Sequence, residues 1–174
     1  NQTAAQADRS PGYYDFLNIK DEKTFQLLVG FDAKSVVQKQ RVNTLRASVA
    51  DSSVTLQPRA IDREETFGGV IWRSYDFRKA VGDNNPLKTL GKDIKRNYDA
   101  TEQYGKLSNG FFATGLFNKN GVRQDTAPDF IASDGKSHST DRRVHVNISC
   151  VRCHTTGLQP IDDWTRNLLQ PPLA

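Results

Sequence analysis

Apolar positions along this chain recur at two spacings, and each change of spacing marks an expected change of structure. Phe25, Leu28 and Val29 fall on one helical face, with Asp21 as N-cap and Gly30 as terminus. Asp32 is expected to cap a second helix running to about Arg46, with Val37, Arg41 and Leu45 near helical spacing. The period then shortens. Val54 and Leu56 alternate with polar residues and predict a short strand. Residues 69–77 are apolar and aromatic at a mostly strand-like period. Asp83-Asn84-Asn85-Pro86 predicts a turn, and the polar stretch 88–109 is read as partly helical. Residues 111–117 predict a strand. The following Asn118-Lys119-Asn120-Gly121 is a hairpin turn, because Asn and Gly tolerate the positive φ a tight hairpin needs. Residues 133–143 form a polar, charged loop, and Val144-His145-Val146-Asn147-Ile148 alternates again. Asp162 is expected to cap a last short helix with Trp164, Leu168 and Leu169, stopped by Pro171-Pro172. The pattern predicts an α+β fold: N-terminal helices, a central antiparallel sheet or hairpin region, and a C-terminal segment. Residues 1–12 read as a flexible lead-in to a single domain over 13–174.

Composition narrows the function. A chain of 174 residues suits one domain with a real core. No apolar stretch approaches the roughly 20 residues that cross a bilayer. The formal net charge of +4 is dispersed and carries no basic, aromatic-laced face, so nucleic-acid binding is not expected. No phosphate-binding glycine loop, nucleophile–base pair or paired carboxylates argue for hydrolysis.

One segment names a chemistry. Cys150-Val151-Arg152-Cys153-His154 has the Cys-x-x-Cys-His spacing of c-type haem attachment. Each thiol adds to a haem vinyl group to form a thioether, and the adjacent His becomes the proximal iron ligand. These are the only two cysteines in the chain. A redox Cys-x-x-Cys normally opens a helix after a strand in a βαβ unit, a pattern absent around this motif. A structural zinc needs four ligands, and only His138, His145 and His154 exist to complete a set. One haem c is therefore the expected cofactor. The chain has no Met, which excludes a His/Met haem, and the motif's place near the C-terminal end argues against the all-α small cytochrome c fold. Covalent haem is attached outside the bacterial cytoplasm, so an exported, periplasmic protein is expected, its export signal removed.

Trp72-Arg73-Ser74-Tyr75-Asp76-Phe77, Leu107-Ser108-Asn109-Gly110, Asp125-Thr126-Ala127-Pro128 and Ser149-Cys150-Val151-Arg152-Cys153-His154 together give a family likeness. Over about residues 13–158 the chain resembles bacterial monohaem cytochrome c-like domains of the planctomycete type. The resemblance implies monohaem character and export but supplies no substrate. It departs at Asp62-Arg63-Glu64, where relatives place a His after an acidic-Arg pair.

Several residues are candidates around the iron. His145 and His138 are the remaining imidazoles for the distal position. The five residues from His145 to Cys150 reach about 17 Å when extended, enough to pass the macrocycle edge. Lys, Tyr, Asn or water are the other options. Arg142, Arg143 and Arg152 are candidate partners for the haem propionates, through paired charge-assisted hydrogen bonds. Trp72, Tyr75 and Trp164 are candidate walls of the haem pocket, against core packing as the ordinary role of such aromatics. With no distal acid–base constellation recognisable, electron transfer to a docked partner is favoured over catalysis. That partner is expected to be acidic, or part of a larger membrane-associated complex. The alternative is a haem enzyme or sensor with an open distal site, reducing peroxide or binding a small gas.

Overall fold

A five-stranded antiparallel meander organises the protein. The computed structural model describes residues 12–32, 44–50, 52, 54–88 and 97–160. Two helices, α1 (Tyr13–Phe16) and α2 (Glu22–Leu28), precede the strands β1 (Leu45–Val49), β2 (Arg59–Thr66), β3 (Gly69–Asp76), β4 (Ala100–Lys106) and β5 (Phe112–Asn118). Each strand pairs antiparallel with the next in sequence, giving the order β1-β2-β3-β4-β5. A last helix, α3 (Ile148–Cys153), carries the two cysteines. The fold is thus mixed α+β and not all-α.

Alternation along the strands gives the sheet two different faces. On the first, α2 packs closely. Asp21 forms its predicted cap: Thr24 N donates to Asp21 Oδ1 at 2.7 Å, and Asp21 N donates back to Thr24 Oγ1 at 2.9 Å. Phe25 and Val29 are buried against this face, and the Phe25 and Phe117 rings lie 5.6 Å apart. The approach is so tight that a Cβ on Gly105 would sit 2.7 Å from Val29 Cγ1. Leu28, expected on the buried face, points outward instead.

The second face carries Glu102, Tyr104, Thr114 and Leu116, as the pairing of β4 with β5 dictates. The C-terminal segment lies over it. Its Ala127, Ile131, Val144 and Val146 are buried in the same hydrophobic cluster as Leu116. Main-chain bonds fix this strip: Ala127 N donates to Val144 O, and Val146 N to Asp125 O, both at 2.9 Å.

Three expectations are corrected. Leu45 and Arg46 begin a strand rather than end a helix; residues 33–43, the body of that expected helix, lie outside the described residues. In the stretch read as partly helical, residues 89–96 lie outside the described residues and Ala100–Lys106 form β4, whose inward Thr101 and Gln103 are polar and hide the strand period. Val54 and Leu56 flank only a single bridge from Thr55 to Ala132. The hairpin turn at 118–121 is present: Asn118 Oδ1 accepts from Asn120 N and Val122 N, and Gly121 has φ +75°.

Candidate functional site

The Cys-x-x-Cys-His segment owes its placement to one buried carboxylate. Asp134 Oδ2 accepts from Ser149 Oγ and from an Arg152 guanidinium nitrogen, each at 2.8 Å. Its Oδ1 accepts from Lys136 N at 3.0 Å. Ser149 Oγ in turn accepts from His145 N at 3.1 Å. These bonds seat α3 on the second sheet face after the turn at Asn147.

Helical spacing brings the three motif residues together. Cys150, Cys153 and His154 are related by i+3 and i+4, so they share one side of the helix. Cys150 is 6% exposed, and its thiol donates to Glu102 Oε1 at 3.6 Å. Burial, and then the negative charge of Glu102, push this thiol up to about 12. Cys153 is more open, and burial also raises it. Both thiols are free.

Glu102 links the motif to a buried charge cluster. Its Oε2 meets Arg59 Nη2 at 3.1 Å, while Arg59 grips Asp76 through two bonds of 2.9 and 3.0 Å and donates to Ser74 Oγ at 2.7 Å. Burial raises Asp76, and Arg59 opposes the rise.

His154 is oriented by its own chain. Its backbone N donates to Cys150 O at 2.8 Å, and its Nδ1 lies 3.0 Å from Gly157 O. A carbonyl only accepts, so Nδ1 carries the proton and Nε2 keeps its lone pair for another partner. Gly157 supplies φ +101°, which a side chain would resist. The imidazole lies 6.5 Å from the Tyr104 ring at 27° between planes. Tyr104 in turn stacks on Phe112 at 4.6 Å and 8°.

The other candidates divide between the two faces and the loop. Trp72 is the direct cross-strand partner of Tyr104 and so lies on the His154 face, with the Arg63 guanidinium 5.6 Å from its ring centre. Tyr75 has opposite parity and packs on the α2 face, 5.1 Å from the Tyr98 ring. Trp164 lies outside the described residues. Glu64 is buried on the α2 face and paired with Arg73. His145 Nε2 contacts Asp141 Oδ2 at 2.9 Å. Arg143 also grips Asp141, through bonds of 3.0 and 2.9 Å, and holds it well below the usual carboxylate range. Arg142 donates to Gly135 O at 3.0 Å, and His138 is exposed in the same loop. Arg152 is paired with Asp134.

Sequence reading missed Glu102, Tyr104, Phe112 and Asp134 as parts of this site. Phe112 stood on a predicted strand, but Glu102 and Tyr104 fell in the stretch read as partly helical and Asp134 in a polar loop, so no local signal joined them.

The surroundings fit a flat, largely apolar prosthetic group. Phe111 and Phe112 are 73% and 46% exposed, and Val151 and Leu158, flanking Cys153-His154, are exposed as well. Among the described residues no group of three or more His, Cys, Asp or Glu side chains is placed to hold a bare metal ion. No helix among them is long and apolar enough to cross a membrane. Comparison with protein-family models, curated proteins and solved structures returned no match to this chain.

Proposed function

We propose that the protein is an exported monohaem c-type cytochrome that transfers electrons. One haem c is bound through Cys150 and Cys153, with His154 as proximal ligand. The observation that carries this reading is the pairing of helical i, i+3, i+4 spacing with the His154 Nδ1 bond to Gly157 O. That bond fixes the tautomer and presents Nε2, as ligating histidines require. When bound, the haem supplies one-electron chemistry at iron; the chain attaches it, orients its ligand and shields one side of it. The reading places the chain with the bacterial cytochrome c-like domains it resembles. It implies a periplasmic setting and a redox partner, acidic or within a membrane-associated complex.

The decisive experiment is co-expression with haem-attachment machinery, followed by intact mass and acid–acetone extraction. One haem retained on the polypeptide, and lost in C150A/C153A, is expected. Haem that extracts freely, or never binds, refutes the proposal.

A second reading is favoured by one observation. His145 Nε2 is already engaged by Asp141, which leaves an open distal position as the alternative, suited to peroxide or a small gas. Rapid CO binding by the reduced holoprotein, with a high-spin spectrum, would select it over electron transfer.

A further inference from the structure

Three side chains on one row of the sheet, Arg63, Trp72 and Tyr104, stay partly open beside His154, and the fourth, Thr114, is buried. Arg63, Trp72, Tyr104 and Thr114 are consecutive cross-strand partners on β2, β3, β4 and β5. Neighbouring strands lie about 4.8 Å apart, so Arg63 to Tyr104 spans about 10 Å of sheet face. The next row inward, Ser74, Glu102 and Leu116, faces Cys150 and the segment that carries it. Among the described residues the aromatic row has no such cover. Trp72 and Tyr104 are half-buried, and Phe112, diagonal to Tyr104 and stacked on it, is 46% exposed. Large aromatics in the middle of a sheet normally gain their stabilisation by being covered. An open aromatic row that ends at the imidazole meant to hold a haem is a seat with a stated occupant.

The arginines point the same way. Arg152 sits between the two cysteines, on the edge where the vinyl groups would attach, whereas propionates leave a haem from the opposite edge. Arg152 is also committed to the buried Asp134, and Arg143 to Asp141. Arg63 lies on the open row, over Trp72, at the end of the row away from α3.

We propose that the haem is seated on the sheet face formed by Trp72, Tyr104 and Phe112, with Arg63 at its propionate edge. Arg142, Arg143 and Arg152 do not serve the propionates. This rests on the haem-attachment reading above. The seat excludes Tyr75, which faces α2, and puts the macrocycle against strands rather than against the 133–143 loop.

The test uses the full-length holoprotein, with its single covalent haem first verified by mass, so that failure of attachment is registered separately. Proton NMR of the reduced, CO-saturated protein then reads through-space contacts from haem methyl and meso protons. Contacts to the Trp72, Tyr104 and Phe112 ring protons are expected, with none to Tyr75. Contacts to residues 133–143 in place of those three rings overturn the seat. The propionate assignment is tested by the midpoint potential. R63Q removes a positive charge beside the haem and is expected to lower the potential, because the extra charge on ferric iron is then less opposed. R142Q and R143Q are expected to leave it in place. A shift confined to R142Q or R143Q overturns the assignment.

Discussion

Folded protein will label Cys153 and spare Cys150. The perturbation is a short pulse of iodoacetamide at pH 8 on reduced protein expressed without haem machinery. Alkylation requires the thiolate. A thiol at its ordinary value of 9.0 is about one-tenth ionised at that pH, and one at about 12 is about one part in ten thousand ionised. Ionisation alone therefore slows Cys150 about a thousandfold relative to an unperturbed thiol, before its burial between α3 and the sheet is counted. Cys153 is raised as well, by burial first and then by the charge of Asp134, but it is more exposed. Peptide mass spectrometry gives the two labelling rates, with circular dichroism recording that the sheet is intact. In denaturing urea both rates are expected to converge. E102Q is expected to speed Cys150 in the native state, since it removes the negative charge that raises the thiol. Equal native labelling of the two cysteines, with the sheet still folded, would refute the reasoning. Under the proposed haem attachment the consequence is an order of events: both sulfurs would have to meet the haem before α3 settles on the sheet.

Three further outcomes are expected. D21A removes the α2 cap and costs about 1 kcal/mol at neutral pH by urea denaturation. Asp21 is depressed below 3.8 in the fold, by its bonds from Thr24 first, so the cap's contribution is complete above that value. It fades as pH falls through the folded value, and the gap between D21A and the parent closes there; a gap that widened on acidification would contradict the cap. G105A drives a methyl against Val29 and is expected to cost about 1–3 kcal/mol in the same assay, relieved in part by V29A. G157A strains a backbone at φ +101° and loosens the His154 Nδ1 bond. A weaker bond makes the imidazole a poorer donor to ferric iron, so the holoprotein's midpoint potential rises; an unchanged or lower potential would show that the bond does not tune the ligand.

Two of the five strands and the clustering of Cys150, Cys153 and His154 were legible in the chain for different reasons. β3 and β5 carry apolar and aromatic runs, and α2 announces itself through Asp21 and Gly30. The motif is legible because its three side chains fall within five consecutive residues. β2 and β4 were not, because their inward positions are Asp62, Glu64, Thr101 and Gln103. Such residues read as solvent-facing unless their partners are known. Here the partners are remote: Arg46 for Asp62, Arg73 for Glu64, and Glu22 for Gln103, the last 81 residues away in sequence. A buried polar side chain that is fully paired costs little in the fold yet erases the period from which a strand is recognised.

The same physics governs the site. Glu102 stands on β4, whose polarity concealed it, and it reaches Cys150 across 48 positions of sequence. Arg59, itself gripped by Asp76, holds it there, so its charge is imposed on the thiol by a cluster assembled from three strands. Local sequence names the reagent, two thiols and an imidazole. The protonation state of Cys150 and the surface open beside His154 are set by strands β2 to β5. Tyr104, two residues along β4 from Glu102, belongs to the same face and turns toward the imidazole rather than the thiol. One polar strand thus keeps one cysteine protonated while it offers an aromatic ring beside the ligand. That is why missing β4 in the sequence also left Glu102 and Tyr104 unread as parts of this site.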